Sequence, residues 1–552
     1  MISTRCLRLH KDCFFRPIKS RNNTKKKATR IGLLEDKVDQ ILGQLNSTSQ
    51  PKPQNAPPTP KSCESSPHPC DVIGNGFISE DEAAFLLNSF RDMIPCFPFV
   101  QLSKDTTIKD LRSEKPFLLL SILLVSSFQD VPLHMALEEI SKNYLGAHVL
   151  QGNHPQPLDT VQGILIILAG TKQKSHLMRF SKYLHLAHAI INCCKFDRST
   201  KIRMMRQRLD VMLDEAGPAE TSAIQREERR ALIGFYLLDA TSSLVMQKAG
   251  TMPWSPFLES CALKLSQECE YPTDRHLINY VQLQHMLGRI DALVIREEQV
   301  PPLEVNGIIR SLLADFEEYK SQLPFPVDSD VLAALQVRAF RVHIYQSAVF
   351  DFYPPFHNIT DQSLALPRIE ALCHGLSAAK DFITFYFSLP LGIEKSYSYL
   401  HWVNAGFIIA ASCKLAIASL EPSVRHNPQV KELRESLDYP RELSNLTQRM
   451  YAVDRECKGS SGDQHETFFY QEWLRHLGEW FAGKYRLAEL DSSEINDGGL
   501  AISASGVADN GLYGDPPQDT DFPWADLQDV TVEELLNAWL GPMAMPNFNP
   551  FM

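Results

Sequence analysis

The side chains with the plainest chemistry stand in the first thirty residues. Arg5, Arg8, Lys11, Arg16, Lys19, Arg21, Lys25, Lys26, Lys27 and Arg30 face a single acid there, Asp12. Cations this dense neutralise phosphates, in a grip that is blind to base sequence and weakens steeply with salt. Lys25-Lys26-Lys27 with Arg30 also reads as a nuclear-import patch, which puts the chain in the nucleus. Two thiols, Cys6 and Cys13, lie among these cations with six residues between them, and no other cysteine follows until Cys63. The far end is the reverse: residues 489–552 hold twelve Asp or Glu and no Lys or Arg. A net charge of −11 hides this division. One basic and one acidic end suit two partner classes, a polyanion at the first and protein at the second.

Catalytic chemistry has little to stand on. The sequence holds no Gly-rich phosphate loop, no H-E-x-x-H, no G-x-S-x-G and no D-D-x-x-D. His185 and His188 share a helix but have no Glu or Cys at ligand spacing beside them, so they read as ordinary core or surface histidines. The chain is therefore expected not to be an enzyme. Twelve cysteines scattered through 552 residues do not form a disulfide framework and read as reduced thiols of an intracellular protein. The first thirty residues lack the apolar core of a signal peptide. The apolar runs 117–128 and 407–420 are short for a bilayer and fit buried core helices, so no membrane is expected.

Five regions must position these ends. Residues 1–30 are the basic tail. Residues 31–45 carry Ile31, Leu34, Val38, Ile41 and Leu45 in 3-4-3-4 spacing, with β-branched residues at a and leucine at d, which favours a parallel dimeric coiled coil. Residues 46–78 contain seven prolines among Ser, Thr, Asn and Gln, the composition of an extended spacer. From 79 to 488 apolar residues recur at three and four positions and strand-like alternation is scarce, so the body is expected to be all-α. It opens with Ser79-Glu80-Asp81-Glu82, a capping-box sequence. Helices are expected over 83–94, 117–128, 133–144, 160–169, 177–194, 227–248, 273–296, 302–322, 330–352, 365–387 and 399–420, the stretch 300–420 resembling stacked helix pairs. Residues 489–552 form an acidic tail in which Thr531-Val532-Glu533-Glu534 opens a short amphipathic helix. Leu535, Leu536, Trp539 and Leu540 lie on one side of it, and Phe522 and Trp524 precede it, an arrangement suited to folding into a partner's groove as an activation segment.

The order of these parts resembles the binuclear zinc-cluster transcription factors of fungi. In that family C-x2-C-x6-C occurs twice and holds two zinc ions, and a basic linker and short coiled coil follow. By position Cys6 and Cys13 match the fifth and sixth cysteines, with Arg8, Leu9 and Lys11 between them, residues 19–30 match the linker, and residues 33–42 match the dimerisation helix. Ser3 stands where the fourth cysteine belongs, and the first three would precede Met1. Two thiolates are too few for zinc, so this chain is expected to bind none and to lack sequence-specific DNA reading by that route. The body is similar to the family's helical middle homology region. The likeness rests on Pro95-Cys96-Phe97-Pro98-Phe99, residues 115–120, 158–169 and 184–194, Glu227-Glu228-Arg229-Arg230-Ala231, Phe235-Tyr236-Leu237-Leu238-Asp239 and Met252-Pro253-Trp254. Read from the residues alone, 227–230 is a solvated helix start.

The resemblance implies a nuclear homodimer that controls RNA polymerase II genes. It would contact DNA through its N-terminus and recruit the transcription machinery through its acidic tail. A second reading is a coregulator that acts through protein contacts without specific DNA binding. A third is an all-α enzyme or ligand-binding protein that holds a small molecule between helices.

Overall fold

Ser79 caps the first helix, α1 (Glu80–Met93), by accepting from the Glu82 amide at 3.2 Å. Glu80, Asp81 and Glu82 complement the positive end of the helix dipole. Only the Ser79 half of the expected box forms. A complete box occurs instead at Thr107 and Asp110, which exchange bonds of 2.8 and 3.3 Å at the start of α2 (Ile108–Glu114). On α1 the buried residues Ala83, Leu86, Leu87 and Phe90 follow helical spacing, which turns one stripe inward.

The computed structural model describes residues 69–128, 130–150, 156–170, 177–198, 222–246, 250–294, 302–323, 326–352, 362–457 and 468–494. All of them fall in the unit Pro67–Met552, and the other unit, Met1–Ser66, contains none. The described residues are all-α, with no strand. After α2 come α3 (Pro116–Ser126), α4 (Val131–Leu150), α5 (Pro157–Ala169), α6 (Leu177–Cys194), α7 (Ser222–Met246) and α8 (Pro256–Glu268). Then follow α9 (Leu277–Val294), α10 (Pro302–Gln322), α11 (Val331–Ser347), α12 (Gln362–Ser388) and α13 (Tyr399–Ala418). The last are α14 (Pro428–Leu437), α15 (Tyr439–Cys457) and α16 (Phe468–Glu494).

Helices α3 and α5 have no polar face. Nearly every described side chain on both is buried, so they pack on each other inside the body. Gly163 permits the approach: a Cβ there would lie 2.4 Å from the Phe117 ring. Helix α7 touches α5, α6, α8, α9 and α13, and α11 touches α9, α12 and α13, so these two are the struts around which the others stack. A π turn, Ala348–Phe352, continues α11, and the buried Arg368 donates to the Val349 carbonyl there at 3.0 Å.

Several details depart from the sequence reading. Cys70, Val72 and Ile78, which composition assigns to the spacer, are buried, and Asp71 pairs with Arg112 of α2. Helix α13 starts at Tyr399 as expected, but taken whole, at 20 residues, it is long and apolar enough to cross a membrane where the run 407–420 alone is not. Because 89% of that stretch is buried inside the protein, it is a core helix. Helices α2, α8, α14, α15 and α16 were not expected. Their polar residues interrupt the apolar runs that mark the others.

Candidate functional site

The candidate site is the polar centre around the first half of α7, the element that carries the Glu227–Arg230 run. That run is only partly solvated: Glu228 is 5% and Arg230 2% exposed, with Glu227 and Arg229 half-buried beside them. The apolar face of α7 is wide, with Ala231, Leu232, Ile233 and Phe235 all buried, so the turn before it is drawn inside with its charges. Those charges must then find partners.

Arg230 finds two. Its Nε donates to Asp274 Oδ1 at 2.9 Å and its Nη2 to Oδ2 at 2.8 Å, a fork that fixes the pair's geometry. The same Nη2 reaches Glu270 Oε2 at 2.7 Å. Glu270 is held from the other side by Arg226 through bonds of 2.9 and 3.0 Å. Asp274 also accepts from the Tyr271 amide at 2.9 Å, and the Tyr271 ring lies 4.8 Å from the Arg230 guanidinium carbon. Burial works against the Arg230 charge, yet the bonds to Asp274 and Glu270 outweigh it and hold the guanidinium above its usual value. Arg226, followed by Arg230, keeps the Glu270 carboxyl below its usual value. The result ties α7 to the turn between α8 and α9.

Two more carboxylates fasten the same helices. Glu227 pairs with Lys115, the residue capping α3, and accepts from Gln162 of α5 at 3.1 Å. Asp239, about three turns further along α7, accepts from Thr251 Oγ1 at 3.0 Å and from the Met252 amide at 2.7 Å. Beside them Asp159 of α5 accepts the Phe117 and Leu118 amides at 3.1 and 2.8 Å, serving first-turn N–H groups of α3 that have no partner within the helix. Burial pushes the Asp159 carboxyl up to about 6 against the pull of those two amides and of Lys115. Phe99, from the aromatic-proline turn, is fully buried against Gly234 of α7 and stands edge-on to Tyr280 with centroids 6.1 Å apart.

This centre is built as a clasp. Asp159, Asp239, Glu270 and Asp274 each accept on both carboxylate oxygens, and among the described residues no three His, Cys, Asp or Glu could hold a metal ion. His185 is exposed, while His188 stacks on Phe235 and meets Asn192 at 3.0 Å. The other residues singled out from sequence lie outside the described ones. These are Cys6 and Cys13, the ten N-terminal cations, the seam Ile31, Leu34, Val38, Ile41 and Leu45, and Phe522, Trp524, Leu535, Leu536, Trp539 and Leu540. Sequence reasoning missed Asp159, Glu270 and Asp274. A lone acid inside the apolar run 158–169 was the available signal for the first, since a buried carboxylate requires donors.

The sequence is 30% identical over 574 aligned positions to the transcription factor himD of Aspergillus japonicus, covering 97% of this chain and 92% of that protein. It is 20% identical over 405 positions to the transcription factor opdL of Penicillium oxalicum, covering 70% and 69%. No protein-family profile matches the sequence. No solved structure matches it either.

Proposed function

The chain belongs to the family of fungal transcription factors that includes himD, and from this premise we propose that it is a nuclear regulator of the zinc-cluster type, dimeric, with an acidic activating tail. The observation that carries the proposal is the span of the likeness, which takes in 97% of the chain and therefore more than the helical body. In this reading the cations at Arg5, Arg8, Lys11, Arg16, Lys19, Arg21, Lys25, Lys26, Lys27 and Arg30 lie along phosphates. Residues 31–45 pair two chains, and the α7 clasp keeps the body rigid. Residues 489–552 present Phe522, Trp524 and the 531–540 segment to the transcription machinery.

The zinc itself does not fit the residues present. Cys6 and Cys13 supply two thiolates where each ion requires four ligands, and no described cluster supplies the rest. A second reading is a coregulator recruited by protein contacts, in which the basic residues 1–30 give DNA affinity that is blind to sequence. One pair of measurements separates the two. Full-length chain is titrated with duplexes of unrelated sequence at rising salt, and residues 489–552 are fused to an unrelated DNA-binding domain in a reporter strain. The proposed activator requires preference for a subset of duplexes and reporter activation that falls when Trp539 becomes Ala. Uniform affinity that collapses with salt, together with a silent reporter, would overturn it.

A further inference from the structure

A cleft between α12, α13, α15 and α16 has the chemistry of a small-molecule site. Its walls are Tyr386, Trp402, Ile409, Met450, Tyr470 and Trp473, each nine-tenths buried or more. The free space is only about 20 Å³, room for one water. The cleft is tight because Tyr470, in the first turn of α16, lies flat on Trp402, with centroids 3.5 Å apart and planes 9° from parallel.

The polar groups around it are incompletely used. The indole Nε1–H of Trp402 is buried without an acceptor. Tyr397 stands edge-on to Trp402 at 5.4 Å, and its buried hydroxyl has no partner. Behind Tyr386 lies Glu394, whose Oε1 accepts from the Tyr386 hydroxyl at 3.1 Å and from Arg449 Nε at 2.6 Å, while its buried Oε2 has no partner. Orphaned buried polar atoms cost stability comparable to a lost hydrogen bond each; three of them fall within nine residues of chain, and Trp402 is the one that lines the cleft. Arg449 and Glu394 already neutralise each other, so a charged ligand gains nothing from them.

We propose that this cleft binds a planar, uncharged aromatic molecule carrying a hydroxyl or similar group, which takes the place of Tyr470 on the face of Trp402 and accepts from the unpartnered Trp402 indole N–H. The Tyr470 ring shows that the Trp402 face accepts a flat aromatic partner. Exchanging one stack for another leaves that contribution nearly unchanged, and the gain comes from a hydrogen bond that Tyr470 does not supply. Tyr470 is thus an internal competitor, and the apparent affinity is lowered by the fraction of chains in which it is seated. Binding at this cleft is independent of the DNA and reporter measurements above, because it is read on purified chain alone.

The probe is 2-naphthol, with decahydro-2-naphthol as the saturated, non-planar alcohol of the same carbon skeleton, and the readout is equilibrium dialysis of the purified full-length chain. One saturable 2-naphthol site per chain is expected, tighter than the saturated alcohol by about tenfold or more. Trp402→Phe keeps the ring but removes the donor and should weaken binding about 3- to 10-fold. Tyr470→Ala removes the competitor and should strengthen it, in the opposite direction from a merely disruptive change. Tyr470→Leu makes the same test if the alanine variant does not fold, with folding checked by its circular-dichroism melt. Equal binding of the two alcohols would overturn the proposal. So would 2-naphthol affinity that stays unchanged or falls in both Tyr470 variants.

Discussion

The α7 clasp and the cleft beside α13 are both buried polar regions, and they solve burial in opposite ways. At the clasp Arg230, Glu270, Asp274 and Asp239 are matched donor to acceptor, with Asp274 fully enclosed and the guanidinium filling its fork. At the cleft a comparable ion pair, Arg449 with Glu394, leaves one carboxylate oxygen unserved, and rings stack where the clasp has charges. A matched ionic network admits one arrangement, because moving any member strands a buried charge. A stacked aromatic wall admits exchange, because one ring can replace another at little cost. The first region is built for rigidity and the second for accommodation.

Breaking the clasp should have the largest effect. Arg230→Ala strands Asp274 and should cost about 3–5 kcal/mol of stability, read from denaturant midpoints, whereas Arg226→Ala, on a more exposed arginine, should cost far less. Equal losses would show that the buried fork is not the anchor. Glu394→Gln should fall below Arg230→Ala, since its neutral amide still accepts from Tyr386 and Arg449 and has a donor to offer where an oxygen was unserved.

Gly163→Ala pushes a methyl against Phe117 and should cost about 1–3 kcal/mol by overpacking α3 on α5. Asp159 adds a pH signature to the same junction. Its folded value, about 6, lies above the ordinary 3.8, so the folded chain holds that proton more tightly than the unfolded chain. The contribution of this group is full below about pH 4 and is lost as pH rises through about 6, a change on the order of 3 kcal/mol. Asp159→Asn should lose one amide acceptor at every pH and gain on the wild type as pH rises from 4 to 7. Parallel melting curves for the two proteins across that range would refute the assignment. At the small end, Arg475→Ala removes an exposed pair with Glu479 on α16 and should change stability by less than about 0.5 kcal/mol.

Much of this was legible in the residues. Apolar spacing alone marks α6 and α10 to their observed ends, and the uniformly apolar runs identify α3 and α13 as core. Polar-faced helices such as α14 and α15 escaped, because few of their residues are apolar and the period is carried by a handful of contacts such as Val430, Leu443 and Leu446. The clasp escaped for a different reason. Arg230 lies 44 residues from Asp274, and no local pattern says that a charge run will be drawn inside by the apolar face that follows it.

The sequence by itself determined the helical class, the position of the core helices, the opposite charges of the two ends and the likeness to fungal transcription factors. Each of these depends on composition or on spacing within one turn or heptad, which neighbouring residues dictate. Only the tertiary structure decided that Glu227–Arg230 forms a clasp instead of a wet surface, that Asp159 closes the end of another helix, and that Trp402, Tyr470 and Glu394 meet around one cleft. Those are contacts between segments far apart in the chain, and burial, which sets the energy of every charge and orphaned donor among them, exists only once the segments have packed.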